Sequence, residues 1–289
     1  MRRLALGTAQ FGLTYGVANS AGRVNSAAVS QILARAAAAG VDTLDTAVAY
    51  GESESVLGRA DVSGWKVISK LPPLPPEIRD VRQWMDDQVN GSLRRLRVTR
   101  LDALMLHRPA DLLGPHAREY QAGLAAARTQ GVTRAVGVSI YDPEELDALW
   151  PTWRPEIVQA PLNVLDRRLM TSGWLAKLAA HGVRVHARSV FLQGLLVMSA
   201  AQRPAWFAPW SELLDRWLAW CEQQSLSPQH SALGFVDAQS DVERYVIGVD
   251  SLAQLEELLA IKPVPAQLPP DDLYSGDRTL LEPSRWKLQ

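Results

Sequence analysis

Residues 27–51 read AAVSQILARAAAAGVDTLDTAVAYG. Ala27–Ala39 is a helix-like segment, Gly40 stands where a helix-ending glycine belongs, and Thr43–Asp45 is a short buried run that ends on a polar residue. The same unit of helix, glycine and short apolar run recurs at Gly131 and Gly182. Working outward, candidate strands fall at Leu4–Gly7, Thr43–Asp45, Lys66–Lys70, Ala103–His107, Ala135–Ser139, Ile157–Gln159, Val183–Arg188 and Tyr245–Gly248. Helix-like segments lie between them, near Ala27–Ala39, Glu54–Arg59, Val81–Leu96, His116–Thr129, Pro143–Leu149, Gly173–Ala180, Glu212–Gln223 and Leu252–Ala260. Asp142-Pro143-Glu144 reads as an N-cap followed by proline at the first helical position. Short continuous apolar runs bounded by turn residues fit strands buried on both faces. Eight strands alternating with eight helices predict a (β/α)8 TIM barrel, an α/β fold in a single domain over 1–289. A doubly wound open sheet is the alternative, because alternation does not by itself show closure. The Pro-rich stretch Pro263–Pro270 opens a C-terminal extension, about 263–289, that reads as an extended wrap over the surface.

Composition narrows the partners. The 289 residues carry 30 Lys+Arg and 31 Asp+Glu, a net charge of −1 that lacks the basic excess of a nucleic-acid surface. The Ala34–Ala39 run contains Arg35 and is too short to span a membrane. Arg2 and Arg3 precede an apolar run, but Gly7, Thr8, Gln10 and Gly12 break it, which argues against a signal peptide. The lone Cys221 cannot form an internal disulfide. The expectation is a cytoplasmic protein with a small-molecule partner, no nucleic acid and no membrane, its oligomeric state unassigned.

In a parallel barrel the active site lies at the C-terminal strand ends. Asp45 ends the second run, Lys70 the third and His107 the fourth, and Tyr50 lies in the loop just beyond Asp45. A free tyrosine is a weak acid at neutral pH, and a neighbouring lysine cation favours its phenolate. Asp45 would hold Lys70 charged and in place. His107 would donate a hydrogen bond to a substrate carbonyl oxygen. Together these residues can protonate an alkoxide as hydride reaches a carbonyl carbon. Each has a bland reading as a cap, a solvated cation or a satisfied core group; what favours chemistry is that three consecutive strands end in residues serving one reaction.

These residues lie in motifs that resemble the aldo-keto reductase family: Gly7-Thr-Ala-Gln-Phe-Gly12, Asp45-Thr-Ala-Val-Ala-Tyr50-Gly-Glu-Ser-Glu54, Lys70, His107-Arg-Pro109, Gly137-Val-Ser139, Gln159-Ala-Pro-Leu-Asn163, Arg188-Ser189 and Ile247-Gly248. The resemblance implies a (β/α)8 barrel, a nicotinamide cofactor bound without a Rossmann domain, and interconversion of an aldehyde or ketone with its alcohol. It makes Tyr50 the general acid and base, with Lys70, Asp45 and His107 as partners. It places Asp45, Ser139 and Gln159 at the nicotinamide, and Arg188 where a tyrosine often stacks on that ring. Ser189, Phe191 and Gln193 fall at the pyrophosphate, and Gly248, Asp250 and Gln254 at the far end of the nucleotide. The asparagine that usually follows the serine is Ile140 here, and Leu258 stands where another asparagine is common. The family implies NADP(H). Asp250 and the shortage of basic residues after the eighth strand leave NAD(H) open, with Arg244 or Lys262 as candidate phosphate ligands. A non-catalytic or regulatory nicotinamide-nucleotide-binding protein on the same scaffold is the alternative function, and a metal-dependent hydrolase using His107 and His186 is a third.

Outside these motifs, Trp210, Trp217 and Trp220 are close to helical spacing and read as a packed face. Trp206 and Phe207 read as lining or covering the barrel mouth. His116, His181, His186 and His230 lack metal-ligand spacing.

Overall fold

A computed structural model describes residues 3–19, 21–261 and 268–288. Arg2 and residues 262–267 lie outside the described residues, and the expectations placed on them with them. The eight strands are β1 (Leu4–Gly7), β2 (Thr43–Asp45), β3 (Lys66–Leu71), β4 (Ala103–Leu106), β5 (Val136–Ser139), β6 (Ile157–Pro161), β7 (Arg184–Arg188) and β8 (Arg244–Gly248). They pair in sequence order, all parallel, and β1 pairs β8 with Gly7 opposite Gly248, so the barrel closes and the open-sheet alternative falls. β1 and β2 have the bounds expected from sequence, and β3 to β8 differ from them by one or two residues at an end. Beyond β4 the ladder continues to His107, whose amide donates to the Leu71 carbonyl at 3.0 Å.

The expected helices are present, with bounds that shift slightly, as in Ser26–Ala38 and Ala117–Thr129. Gly40, Gly131 and Gly182 end helices at φ +81°, +75° and +69°, a region in which a side chain is strained. The next helix starts one residue later than expected, running Glu144–Leu149 with Pro143 at the N-cap position; Asp142 stands one residue before the cap, and its carboxylate accepts from Glu144 N at 3.0 Å. A helix at Pro228–Asp237 was not anticipated; Ser227 caps it by accepting from His230 N, with proline at its start. No helix among the described residues is long and apolar enough to cross a membrane.

Side chains alternate along a strand, so residues two apart share a face. Ile68, Ala103, Met105, Ala135 and Ile157 form a small core distinct from the large one between sheet and helices. Along β3 to β6 the next side chain of that same face is Lys70, His107, Gln159 or, beyond the side-chain-free Gly137, Ser139, which places these polar groups in one layer on top of the inner core. At the opposite end, Asp42 pairs with Lys66 at 2.7 Å and with Arg244 at 3.2 Å, while Arg184 pairs with Asp102 and Glu243. Arg244 therefore begins β8 at the floor of the barrel, and over five residues at roughly 3.3 Å each it cannot serve a phosphate at the mouth.

The segment after β7 carries the tryptophans. Trp217 is fully buried, donates to the Leu196 carbonyl at 2.8 Å and stacks on Trp220, as a packed face requires. Phe207 is also buried, with Trp286 of the C-terminal segment edge-on to it at 4.8 Å. Within the described part of that segment, Arg167 holds the Pro269 and Pro270 carbonyls, and Ser275 N donates to the Leu165 carbonyl.

Candidate active site

Tyr50 is held by the loop that follows β2. Thr46 N and Val48 N donate to the Ile68 and Lys70 carbonyls at 2.9 and 3.1 Å, so the loop rides on β3 before it turns. The Tyr50 carbonyl then accepts from Ser53 N, and Gly12 lies directly against it. A Cβ on Gly12 would fall 1.8 Å from that oxygen, so only glycine permits the approach. Ser53 Oγ lies within hydrogen-bond distance of Thr8 Oγ1 and Thr46 Oγ1, at 2.9 and 3.0 Å. Glu54, 1% exposed, accepts from Ser69 and Arg95 at 2.6 and 2.7 Å. The Ser-Glu part of the motif is therefore a clamp on the Tyr50 loop, apart from the reacting groups.

Lys70 and Asp45 form a buried ion pair, Nζ to Oδ1 at 2.6 Å, and Lys70 Nζ also donates to the Thr46 carbonyl at 2.9 Å. Gln159 Nε2 donates to Asp45 Oδ2 at 2.7 Å, so both carboxylate oxygens are engaged. The ammonium lies 5.2 Å from the centre of the Tyr50 ring, and the His107 ring lies 5.8 Å from it. The structure thus brings together the four residues expected for catalysis.

The electrostatics differ from the sequence expectation at one point. The Tyr50 phenol is pushed above its ordinary value, first by burial and then by the Asp45 carboxylate, with Arg188 opposing. Lys70 is directed at Asp45, and a closely paired cation and anion largely cancel when seen from the ring. Tyr50 therefore carries its proton at neutral pH. Burial pushes the Lys70 ammonium down, and Asp45 opposes it. His107 is held down at about 3 by burial, then by Lys70 and Arg188, so it is neutral and can donate through one nitrogen.

The residues expected at a cofactor are spread around the same rim. Ser139 and Gln159 are direct neighbours in the β5–β6 register. Arg188, at the end of β7, donates through Nη2 to the Ile140 carbonyl at 2.9 Å and through Nη1 to Ser189 Oγ at 3.2 Å. One face of its guanidinium lies over the Tyr141 ring, 4.4 Å from its centre. Ser189, Leu192 and Gln193 all have positive φ, 60°, 46° and 54°, a strained turn in which the Ser189 carbonyl accepts from Leu192 N and Asn163 Nδ2 and the Gln193 carbonyl from Val17 N. Gln193 Nε2 donates to the Tyr15 hydroxyl at 3.1 Å, and Phe191 is half-buried against the core. Gly248 faces the Gln10 side chain. Asp250 accepts from Asn19 Nδ2 at 3.1 Å, and its amide donates to Gln254 Oε1 at 2.7 Å. Ile140 and Leu258 are buried in the core. Tyr15, Asn19 and Tyr141 were missed from sequence because they lie on loops outside the strand ends; an aromatic two residues after the end of β5 was the available signal.

The residues proposed for the metal alternative do not converge. His186 lies in the barrel with Nε2 3.4 Å from Glu243 near the floor, whereas His107 stands beside Tyr50 at the mouth. Among the described residues no group of three or more His, Cys, Asp or Glu is placed to hold a metal ion.

Residues 3–273 match the model of the aldo/keto reductase family. An aldo-keto reductase of Mycolicibacterium vanbaalenii is 29% identical over 184 residues, 62% of this chain and 64% of that protein, so the match spans just under two thirds of the relative's length. A protein of Escherichia coli named NADH-specific methylglyoxal reductase is 24% identical over 264 residues, covering 76% of this chain and 78% of the other. Among solved structures, an aldo-keto reductase of Bacillus halodurans in its holo form superposes with a TM-score of 0.72 at 19% identity, covering 98% of this chain and 95% of that one. The chain belongs to the aldo/keto reductase family.

Proposed function

We propose that the protein is a nicotinamide-dependent carbonyl reductase, able to run in reverse as an alcohol dehydrogenase, with Tyr50 as general acid and base. The observation that carries this reading is the convergence of a protonated Tyr50, a neutral His107 and the buried Asp45–Lys70 pair on one end of the barrel. His107 orients the substrate by donating to its carbonyl oxygen. Tyr50 releases its proton to that oxygen as negative charge develops there, and Lys70 steadies the resulting phenolate. Asp45 holds Lys70 in position and is itself held by Gln159.

A nicotinamide cofactor suits the polar groups present: neighbouring Ser139 and Gln159, the left-handed turn through Ser189 and Gln193, and Gly248 with the hydrogen-bonded Asp250 and Gln254. Bound there, it would supply the hydride. Ser139 and Gln159 would take the carboxamide, Ser189, Phe191 and Gln193 the pyrophosphate, and Asp250 with Gln254 the ribose and adenine end. The NADH-specific name of the Escherichia coli relative supports NADH as an accepted donor and a small carbonyl compound as substrate. So does Asp250, whose carboxylate would repel a 2′-phosphate and accept from a free 2′-hydroxyl.

The test is Tyr50→Phe, which removes only the hydroxyl. Carbonyl reduction should fall by about 10²–10⁴-fold, with the fold and cofactor affinity retained. Substantial turnover with an unchanged pH profile would exclude Tyr50 as the acid.

A further inference from the structure

Among the described residues Arg188 is a cation of the top layer with no carboxylate at ion-pair distance; Asp166 feels its charge only from farther off. Arg184, at the other end of the same strand, is paired with Asp102 and Glu243 at 2.9 and 2.7 Å. Arg188 forms no ion pair among the described residues, and its two hydrogen bonds run to a backbone carbonyl and a hydroxyl. Its Nε is buried without a partner. A guanidinium has five N–H donors in a planar fork, so more than half remain uncommitted. Tyr141, stacked on it, fixes the plane and is 40% exposed at the mouth. The charge is felt at both Tyr50 and His107: it lowers the phenol against the larger effect of burial, and it lowers the imidazole in the same direction as burial.

We propose that Arg188 determines substrate class: the guanidinium, held flat by Tyr141, binds a carboxylate on the carbonyl substrate, so the protein prefers oxo acids and acid semialdehydes to neutral aldehydes. An unpaired, partly desolvated arginine gains most from a planar anion that it can meet with two parallel hydrogen bonds. A neutral carbonyl compound would leave the cation as it is, beside an imidazole that it helps keep unprotonated. The carboxylate stays unreacted, and reduction takes place only at the carbonyl.

This inference rests on the reductase reading, and its test separates the two. Reduction of 4-carboxybenzaldehyde and of its neutral methyl ester, methyl 4-formylbenzoate, is measured at saturating reduced cofactor, with succinic semialdehyde and butanal as a shorter pair. The ratio of kcat/KM within each pair cancels any change in cofactor binding. In the unmodified protein the acid should lead by about tenfold or more in at least one pair. Arg188→Met should bring that ratio to about unity, and Arg188→Lys should restore part of it, because lysine keeps the charge but loses the fork. An acid no better than its neutral partner in both pairs would overturn the proposal. So would a preference that survives Arg188→Met, including the case in which that variant weakens only cofactor affinity. Failure of the reductase reading looks different: no member of either pair would be reduced by the unmodified protein.

Discussion

Removing Lys70 and Asp45 singly and together tests whether the charges under Tyr50 are as desolvated as the geometry shows. Lys70→Met leaves the Asp45 carboxylate, 2% exposed, with Gln159 Nε2 as its remaining side-chain donor. Asp45→Asn leaves a fully buried ammonium with the Thr46 carbonyl and a neutral amide. Breaking a buried pair from one side costs about 3–5 kcal/mol, because the surviving charge has no water and no counter-ion. The double variant removes both charges, and an uncharged replacement of a buried pair is often close to neutral. It should therefore be no less stable than the worse single variant, a coupling of about 3 kcal/mol against additive losses. Urea unfolding with a common slope reads this from the midpoints. All three variants should be inactive, so stability would return without activity and the two roles of the pair would separate. Single losses below about 1 kcal/mol, as for an exposed pair, would refute the desolvation argument. Losses that add within about 0.5 kcal/mol would refute the pairing.

His107, held down at about 3 from an ordinary 6.5, stabilises the fold fully above pH about 6.5, and this contribution is lost as pH falls toward 3. His107→Gln removes that loss, so the stability advantage of the parent over the variant should shrink on acidification. NMR of the His107 ring should show no titration between about pH 5 and pH 8, and a midpoint near 6.5 would contradict its burial beside Lys70 and Arg188. For the cofactor, NADH should bind within about tenfold of NADPH, a gap of roughly 1.4 kcal/mol or less, and Asp250→Arg should tilt the preference toward NADPH. Both dissociation constants are to be measured at one ionic strength; a roughly hundredfold preference for NADPH in the parent would place Asp250 away from the phosphate.

The barrel was legible because the signals that carried it are local. Gly40, Gly131 and Gly182 mark where helices must stop, and the runs after them are short, apolar and continuous. The convergence of the four candidate residues was legible because a parallel barrel collects strand ends, so Asp45, Lys70 and His107 needed no knowledge of tertiary contacts. The helix Pro228–Asp237 was missed although Ser227-Pro228 is a start signal, since alternation leads one to expect a single helix between β7 and β8. The direction of the Tyr50 shift was missed for a different reason. Sequence shows that a lysine is near a tyrosine, but only the 2.6 Å contact to Asp45 shows where its charge is spent. Arg244 looked available to a phosphate until the register put it at the floor with Asp42.

The mouth of the barrel depends on contacts that no local reading could supply. Arg168, 9% exposed, donates to Asp142 at 2.6 Å, to Asp166 at 2.8 and 2.9 Å, and to Glu282 at 3.4 Å. Its partners Asp142 and Glu282 are 26 and 114 residues away in sequence, so their convergence is visible only in the folded chain. One guanidinium thereby joins the loop after β5, the loop after β6 and the C-terminal segment. The same Arg168 donates through Nη2 to the Tyr141 carbonyl at 3.2 Å, and the Tyr141 ring lies over Arg188. The orientation of Arg188 is thus fixed from two sides, by the Ile140 carbonyl beneath it and by a tyrosine anchored to the C-terminal segment through Arg168. The strand ends fix the depth of Lys70 and His107, whereas Tyr50 and Arg188 owe their orientation to loops and, for Arg188, to the C-terminal segment as well.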